Sequence, residues 1–173
     1  MGVRATKTCV TLILTAFACS GGETATRLPA ELHGLQLVES RAGDDASELI
    51  AGMHEGDSLA PGESEVGFYG TDDMRAVLYV SQFATEEDAH AQFVAMSLGI
   101  GGGSSGYAHH TQSEIGGLKV HSVFGRGQIH YFYTSGPDVT WLAAPPAVAR
   151  PLLAELLEIV VDSIPTLLTP PGQ

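Results

Sequence analysis

The stretch of the chain that is richest in glycine and serine matches two motifs of chemical interest. Gly102, Ser104 and Gly106 fit the G-x-S-x-G pattern that presents a serine nucleophile on a sharp turn. Gly101, Gly103 and Gly106 fit the G-x-G-x-x-G pattern of a phosphate-binding loop. Both motifs need a strand before the turn and a helix after it, whereas here a predicted helix precedes and a predicted strand follows. We therefore predict a flexible connection at this stretch and a chain that is not an enzyme.

Histidines form the second group of candidates, and they occur with two methionines: His54, His90, His109, His110, His121 and His130, with Met53 and Met96. Imidazole and thioether ligands suit copper and haem iron. No predicted helix carries two histidines four residues apart, and no cysteine ligand accompanies them. We expect no cofactor. The alternative is a metal or haem site made of His54, His109 or His110, and either His121 or His130.

A predicted hairpin separates two of these histidines. With a three-residue loop over residues 125–127, His121 faces Tyr131 and His130 faces Ser122. Successive side chains of a strand point to opposite faces of a sheet. This register therefore puts His121 and His130 on opposite faces, where they cannot share one metal ion.

The same hairpin predicts an aromatic binding surface. Tyr131, Tyr133 and His121 fall on one of its faces, and Trp141 is near them in the next strand. The other face of the hairpin has the more apolar side chains and is expected to pack in the core. A half-exposed aromatic patch on an antiparallel sheet is typical of a surface that binds a protein partner or an apolar ligand. The alternative is that the tyrosines are simply good strand formers.

Periodicity predicts the elements that position these residues in the first part of the chain. Alternating apolar and polar residues indicate strands at residues 34–40, 66–69, 75–83 and 107–115. Helical spacing indicates one helix after Asp44 or Asp45 and another from Thr85 to about Leu98, where Asp88 completes a capping box. The resulting β-α-β-β-α-β order is that of a ferredoxin-like unit, in which an antiparallel sheet carries both helices on one face.

The rest of the chain extends this sheet. Strands at residues 118–124, 128–133 and 139–143 add a β-meander. A terminal helix follows at residues 145–164, and it kinks unless Pro151 falls in its first turn. We therefore predict an α+β domain with one antiparallel sheet and with helices on one face.

The first residues of the chain have the layout of an export signal. Arg4 and Lys7 form a positive region, residues 9–18 are an apolar run, and the small residues Ala16 and Ala18 precede Cys19. A membrane-spanning helix needs roughly 20 apolar residues, and this run is shorter. We predict that residues 1–18 are a cleaved signal peptide.

Residues 16–22, which read AFACSGG, resemble the lipobox and tether of a bacterial lipoprotein precursor. The resemblance implies that the Cys19 thiol receives a diacylglyceryl group, that the signal is cut before it, and that the new amino terminus is acylated. Ala16 and Phe17 depart from the aliphatic and small residues that are usual at these two positions. The alternative is an ordinary signal cleaved after Ala18, which leaves a secreted protein. With lipidation, more than one acyl chain would anchor the protein stably to a membrane.

The charge balance argues against two kinds of partner, nucleic acid and an anionic lipid surface. Loss of Arg4 and Lys7 with the signal reduces the 8 basic residues to 6 against 20 acidic ones, a formal charge of −14. Nucleic-acid binding depends on lysine and arginine at phosphates, and docking on anionic lipid depends on a basic patch. We therefore predict no nucleic-acid partner and no membrane contact through a basic surface.

The two cysteines lie at or before the predicted cleavage site, so we expect a domain without an internal disulfide. The predicted division is a signal at residues 1–18, a lipidated flexible tether at 19–28, a single α+β domain at 29–164 and a tail at 165–173. The predicted function is that of a cell-envelope lipoprotein facing the periplasm or the cell exterior. Its domain would bind a protein partner or a small apolar ligand without catalysis, and metal or haem binding is the alternative.

Overall fold

A computed structural model describes residues 26–53, 61–71, 74–102 and 106–166 of the chain. The strands are β1 (Glu31–Leu32), β2 (Leu35–Ala42), β3 (Glu63–Thr71), β4 (Met74–Gln82), β5 (Ala108–Ile115), β6 (Leu118–Gly125), β7 (Gln128–Ser135) and β8 (Asp138–Ala144). The helices are α1 (Asp44–Ala51), α2 (Glu86–Gly101) and α3 (Pro146–Leu156), and a short 3-10 helix follows at Val161–Ser163.

The eight strands form one antiparallel sheet in the order β1-β2-β3-β4-β8-β7-β6-β5. Strands β1 to β4 are a meander, β5 to β8 are a second meander, and the two meet where β4 pairs with β8. The predicted α+β class with an antiparallel sheet is confirmed. The ferredoxin-like arrangement is not, because β2 and β3, which flank α1, pair directly with each other in antiparallel fashion.

Helices cover both faces of the sheet, so the expectation that they lie on one face is wrong. Phe132 of β7 packs with Phe93 of α2, whereas its neighbour Tyr131 packs with Leu152 of α3. Since successive side chains of a strand point to opposite faces, α2 and α3 lie on opposite faces. α1 shares the face of α2, because Trp141 packs against the clusters of both helices.

The α3 face holds the larger part of the core. Its largest side chains are at most 1% exposed: Tyr69, Leu78, Leu142, Leu152 and Leu153. Burial of each leucine side chain contributes roughly 1.5–3 kcal/mol. Packing on the α3 face therefore stabilises the sheet. The opposite face of the same sheet carries the polar and aromatic side chains described below.

Local capping explains where two helices begin and end. The Thr85 hydroxyl accepts a hydrogen bond of 3.1 Å from the backbone N–H of Asp88, as the capping-box pattern predicts. The terminal helix is shorter than predicted, since α3 ends at Leu156 and Glu158 adopts a φ of 52°. The chain turns there, and Ile164 returns to the core with 1% exposure.

The hairpin between β6 and β7 has a two-residue turn. Arg126 and Gly127 both have positive φ, 53° and 77°, and Gly125 pairs directly with Gln128. Positive φ at both central residues is typical of the type I′ turn, which matches the twist of two hairpin strands. The predicted three-residue loop is therefore wrong by one residue.

That one residue reverses which side chains of β7 share a face with those of β6. His121 faces Phe132 and Val123 faces His130. His121 and His130 thus lie on the same face, and the prediction that they lie on opposite faces is wrong. Tyr131 is on the other face, beneath α3.

Candidate functional site

A row of aromatic side chains crosses four strands on the face covered by α1 and α2. Tyr79 of β4 pairs with Trp141 of β8, Trp141 pairs with Phe132 of β7, and Phe132 pairs with His121 of β6. The rings of Trp141 and Phe132 are nearly parallel with centroids 4.9 Å apart, and the centroids of Phe132 and His121 are 5.0 Å apart. We call these four residues the aromatic row.

Helix α2 closes one end of the aromatic row and leaves the other end accessible. The ring of Phe93 packs edge-on against His121 at a centroid distance of 4.8 Å, and His121 and Phe132 are buried. Tyr79 and Trp141 are half-buried, and Trp141 lies where the clusters of α1 and α2 adjoin. Half-buried tyrosine and tryptophan offer an apolar ring together with a polar tip, which suits a binding surface.

Tyr107, just before β5, borders this accessible end. Its ring centroid lies 5.7 Å from that of Trp141 and 5.0 Å from that of His130. The ring rests on Gly125, where an added Cβ would come within 2.4 Å of it. Gly125 is therefore needed for Tyr107 to reach the row. We call Tyr79, Tyr107 and Trp141 the aromatic opening.

Arg126 provides positive charge near the aromatic opening. Burial raises the pKa of Tyr79 and of Tyr107, and the guanidinium of Arg126 acts on both in the opposite direction. Both hydroxyls therefore stay protonated near neutral pH. The opening combines three rings, two neutral hydroxyls and one nearby cation at an exposed turn.

His130 is held as a neutral imidazole beside this opening. Its Nε2–H donates to the Gly125 carbonyl at 3.1 Å, and its Nδ1 accepts from the indole N–H of Trp141 at 3.1 Å. Burial lowers the pKa of His130, the hydrogen bond to Gly125 works against that, and Arg126 lowers it further. Both ring nitrogens have partners, so His130 orients Trp141 and offers no free ligand atom.

His110 and His121 meet at the closed end of the row, and we call them the histidine pair. His110 Nε2 lies 2.8 Å from His121 Nδ1, and the Ser97 hydroxyl of α2 lies 3.1 Å from the same His121 nitrogen. His121 Nε2 is buried and has no hydrogen-bond partner. Burial, then His110 and Lys119, lower the pKa of His121 to about 4.

This arrangement of Ser97 and the histidine pair is not a catalytic relay. In a serine triad the nucleophile and the orienting group bind different nitrogens of the histidine. Here Ser97 and His110 both contact Nδ1 of His121, and Nε2 has no partner. The pair instead places two imidazoles in contact beneath one helix.

The structure does not place the predicted binding residues on one surface. Tyr131 and Tyr133 are 1% and 5% exposed and lie on the α3 face, and His121 is 5% exposed on the other face. The expected half-exposed patch of these three residues is therefore wrong, because the hairpin register differs by one residue and both faces carry a helix. Trp141 is half-buried and stays a candidate.

The other predicted site residues are dispersed. His109 is exposed next to His110, and His130 already has two partners. Cys19, His54 and Ser104 lie outside the described residues. Within the described part of the chain, no three His, Cys, Asp or Glu side chains converge to hold a metal ion.

Sequence reasoning missed Tyr79, Tyr107 and Ser97. Tyr79 stands in a strand that alternation predicts, but only the β4–β8 pairing brings it beside Trp141. The run of large side chains in β7, all buried from Ile129 to Tyr133, is the signal that could have indicated helices on both faces. A strand that is buried on both faces would have led us to predict aromatic residues of neighbouring strands side by side on the α2 face as well.

A separate depression of about 750 Å³ lies at the ends of β3 and β4 and at the start of α2. Its lining includes Glu63, Phe83, Asp88 and Pro137. It is open and does not adjoin the aromatic row. We assign no function to it.

Comparisons with known proteins place the chain in no known group. Among the described residues, no helix has the length and apolar character to cross a membrane. No known family, no curated protein and no solved structure matches this chain.

Proposed function

We propose that the chain is a cell-envelope lipoprotein whose exported domain binds a small apolar ligand or a protein partner at the aromatic opening. The anchoring part of this proposal rests on residues 16–22, and above all on Cys19 after Ala18. The binding part rests on the half-buried rings of Tyr79, Tyr107 and Trp141.

The single observation that carries the binding site is the contrast within the aromatic row. Phe132 and His121 are sealed beneath α2, whereas Tyr79 and Trp141 at the other end stay partly accessible. Large aromatic side chains contribute most to the free energy of binding when a partner buries them fully, and they are enriched at protein interfaces. The indole of Trp141 is already oriented by His130, so little side-chain freedom would be lost on binding.

Lipidation is tested by labelling the protein in a producing bacterium with an alkyne analogue of palmitate. We expect label on the wild type and on Cys9→Ser, and none on Cys19→Ser, because only Cys19 would become the acylated terminus. Cys9 is the matched control, since it is the other cysteine of the chain. Label that persists on Cys19→Ser, or is absent from the wild type, would contradict the anchor.

Binding at the aromatic opening is tested with the apolar dye 1-anilinonaphthalene-8-sulfonate and the folded full chain. We expect Tyr79→Ser and Tyr107→Ser to weaken dye binding, because each removes a ring that the dye would contact. Leu98→Ser is the matched control, since Leu98 is 72% exposed on the outer side of α2. Dye binding that depends on Leu98 and not on Tyr79 would reject the opening as the site.

A further inference from the structure

Arg126 lies at the rim of the aromatic opening because of its place in the β6–β7 turn. Ala108 of β5 pairs with Phe124 of β6. This register brings the preceding residue, Tyr107, onto Gly125, where the ring rests against the backbone. Arg126 is the next residue along the turn, and its side chain is exposed. The turn therefore places one exposed arginine beside the residue that supports the Tyr107 ring.

The charge of Arg126 reaches the side chains that form this end of the aromatic row. Burial is the largest cause of the pKa shifts of Tyr79, Tyr107 and His130, and Arg126 acts to lower the pKa of all three. Within the described part of the chain, no carboxylate has a comparable effect on these groups. The electrostatic potential at the opening is therefore locally positive, although the chain as a whole has a formal net charge of −12.

The hydrogen-bonding groups at the opening also favour an anion. The indole N–H of Trp141 is already donated to His130, whose other nitrogen donates to the Gly125 carbonyl. The hydroxyls of Tyr79 and Tyr107 are different, since no hydrogen bond within the described residues contributes to the pKa shift of either. The remaining polar groups are thus two phenol O–H donors and one guanidinium. A carboxylate or a sulfonate, which only accepts hydrogen bonds, is the complementary group.

The extent of the opening favours a small ligand over a protein partner. A standard protein interface covers about 800 Å² and roughly 20–30 residues on each partner. The opening consists of the half-buried rings of Tyr79, Tyr107 and Trp141, with one exposed cation beside them. These groups suit a molecule that has a flat apolar body and a single anionic group.

We propose that the aromatic opening binds a small amphiphilic anion, whose flat apolar body contacts Tyr79, Tyr107 and Trp141 and whose acidic group pairs with Arg126. This inference rests on the binding part of the proposed function, and it adds the charge of the ligand and the residue that selects it. Arg126 is then a specificity-determining residue, because it distinguishes an anionic ligand from an uncharged ligand of the same shape.

Two dyes that differ by one anionic group test this selectivity on the folded full chain. 1-Anilinonaphthalene-8-sulfonate carries a sulfonate on the ring system of N-phenyl-1-naphthylamine, which is uncharged. Both dyes become fluorescent when they move from water to an apolar site, so the same titration gives both affinities. The measurements are made at about 0.15 M ionic strength, where the interaction of exposed charges more than about 8 Å apart is largely screened.

Arg126→Gln should weaken binding of the sulfonate dye by about two- to fivefold, because an exposed ion pair contributes little more than this in water. It should leave binding of the uncharged dye unchanged. Glutamine, like arginine, is unbranched at Cβ, so the positive φ of this turn position is equally tolerated. Lys119→Gln is the matched control, since it removes one positive charge from an exposed position at the opposite end of β6. It should leave both affinities unchanged.

The outcomes separate this inference from the site on which it depends. Equal weakening of both dyes by Arg126→Gln, or no weakening of the sulfonate dye, would overturn the pairing of an anion with Arg126. An equal effect of Lys119→Gln on the sulfonate dye would overturn it too. If Tyr107→Ser weakens both dyes while Arg126→Gln changes neither, the opening stands and the anion preference is wrong. If Tyr107→Ser changes neither dye, the opening is not the site and both proposals fail.

Salt provides a readout that a merely structural effect of Arg126→Gln would not change. The net negative charge of the chain repels the sulfonate dye and Arg126 attracts it, so the ratio of the wild-type to the Arg126→Gln affinity isolates the attraction. Raising the ionic strength from about 0.01 M to about 1 M shortens the Debye length from about 30 Å to about 3 Å. We expect the ratio to fall toward one over this range. A ratio that is independent of salt would overturn the pairing.

Discussion

The two faces of the central sheet use aromatic residues in different ways. On the α3 face, Tyr69 and Tyr131 are almost fully buried, and burial raises the pKa of each to about 12. On the α1/α2 face, Tyr79 and Trp141 stay half-buried and lie in one row with His121. One face is sealed by a leucine-rich helix, and the other keeps polar atoms within reach of solvent. The largest buried side chains and the proposed binding surface therefore lie on opposite faces of the sheet.

The largest loss of stability is expected from a cavity in the core beneath α3. Leu152→Ala removes a side chain with 0% exposure beneath α3, and truncation of a buried leucine costs about 2–5 kcal/mol. Urea denaturation followed by circular dichroism measures the free energy of unfolding. Leu98→Ala, at 72% exposure on α2, is the control and should change it by less than about 1 kcal/mol. Equal losses in the two variants would show that Leu152 does not stabilise the core beneath α3.

The second effect concerns pH and the α1/α2 face. His121 has a pKa of about 4 in the folded protein, against 6.5 as its ordinary value. The folded state therefore resists protonation of His121. The part of the free energy of unfolding that depends on a neutral His121 is fully present above about pH 6.5. It decreases as the pH falls and is lost by about pH 4. We expect a decrease of about 2–3 kcal/mol over this range.

Urea denaturation between pH 7 and pH 4 measures this decrease. The difference between the wild type and His121→Gln isolates it from the titration of the carboxylates. The wild type should lose more stability than the variant on acidification, while His109→Asn should behave as the wild type does. Parallel pH profiles for the wild type and His121→Gln would show that burial of His121 does not govern the response.

The third effect is local to the aromatic opening. Gly125→Ala places a Cβ 2.4 Å from the ring of Tyr107, so the ring must move away from Trp141. We expect a loss of about 1–3 kcal/mol, as for overpacking, together with a shift in Trp141 fluorescence. Gly62→Ala is the control, because its nearest neighbour would be a carbonyl oxygen at 3.7 Å. An unchanged Trp141 spectrum in Gly125→Ala would mean that Tyr107 does not border the indole.

The smallest effect has the opposite sign. Gly99→Ala in α2 meets nothing within 4 Å, so the change adds helix propensity without a clash. We expect a gain of about 0.5–1 kcal/mol. A loss of stability would show that the outer side of α2 is packed more tightly than the structure indicates.

Local patterns in the sequence predict most elements but not their partners. The capping residues Thr85 and Asp88 locate the start of α2, and alternation locates β4 within one residue at each end. These signals are local, because caps and side-chain alternation depend on near neighbours. The end of α3 at Leu156 escaped prediction, since the apolar spacing continues past Glu158 while the backbone turns there.

The candidate site could not be predicted, because it depends on register and on the choice of face. A two-residue turn of this type usually has Asn or Asp before the glycine. Here Arg126 adopts the positive φ at that position, so the sequence did not indicate the turn. The resulting shift of one residue moved Tyr131 and His130 to faces other than those expected. The meeting of His110 and His121 also depends on a bulge in β5 near Ala108 and Thr111. Such long-range pairings leave little trace in residue spacing.

The position of β8 has a consequence for assembly. It is the last strand in the described part of the chain, yet it stands in the middle of the sheet, between β4 and β7. Before β8 (Asp138–Ala144) docks, one edge of β4 has no hydrogen-bonded neighbour, and β4 carries apolar side chains on both faces of the sheet. An unfinished chain would thus offer a template on which another copy could add, and aggregation would compete with completion of the fold. The two meanders are joined into one sheet only after β8 has been synthesised and has docked between β4 and β7.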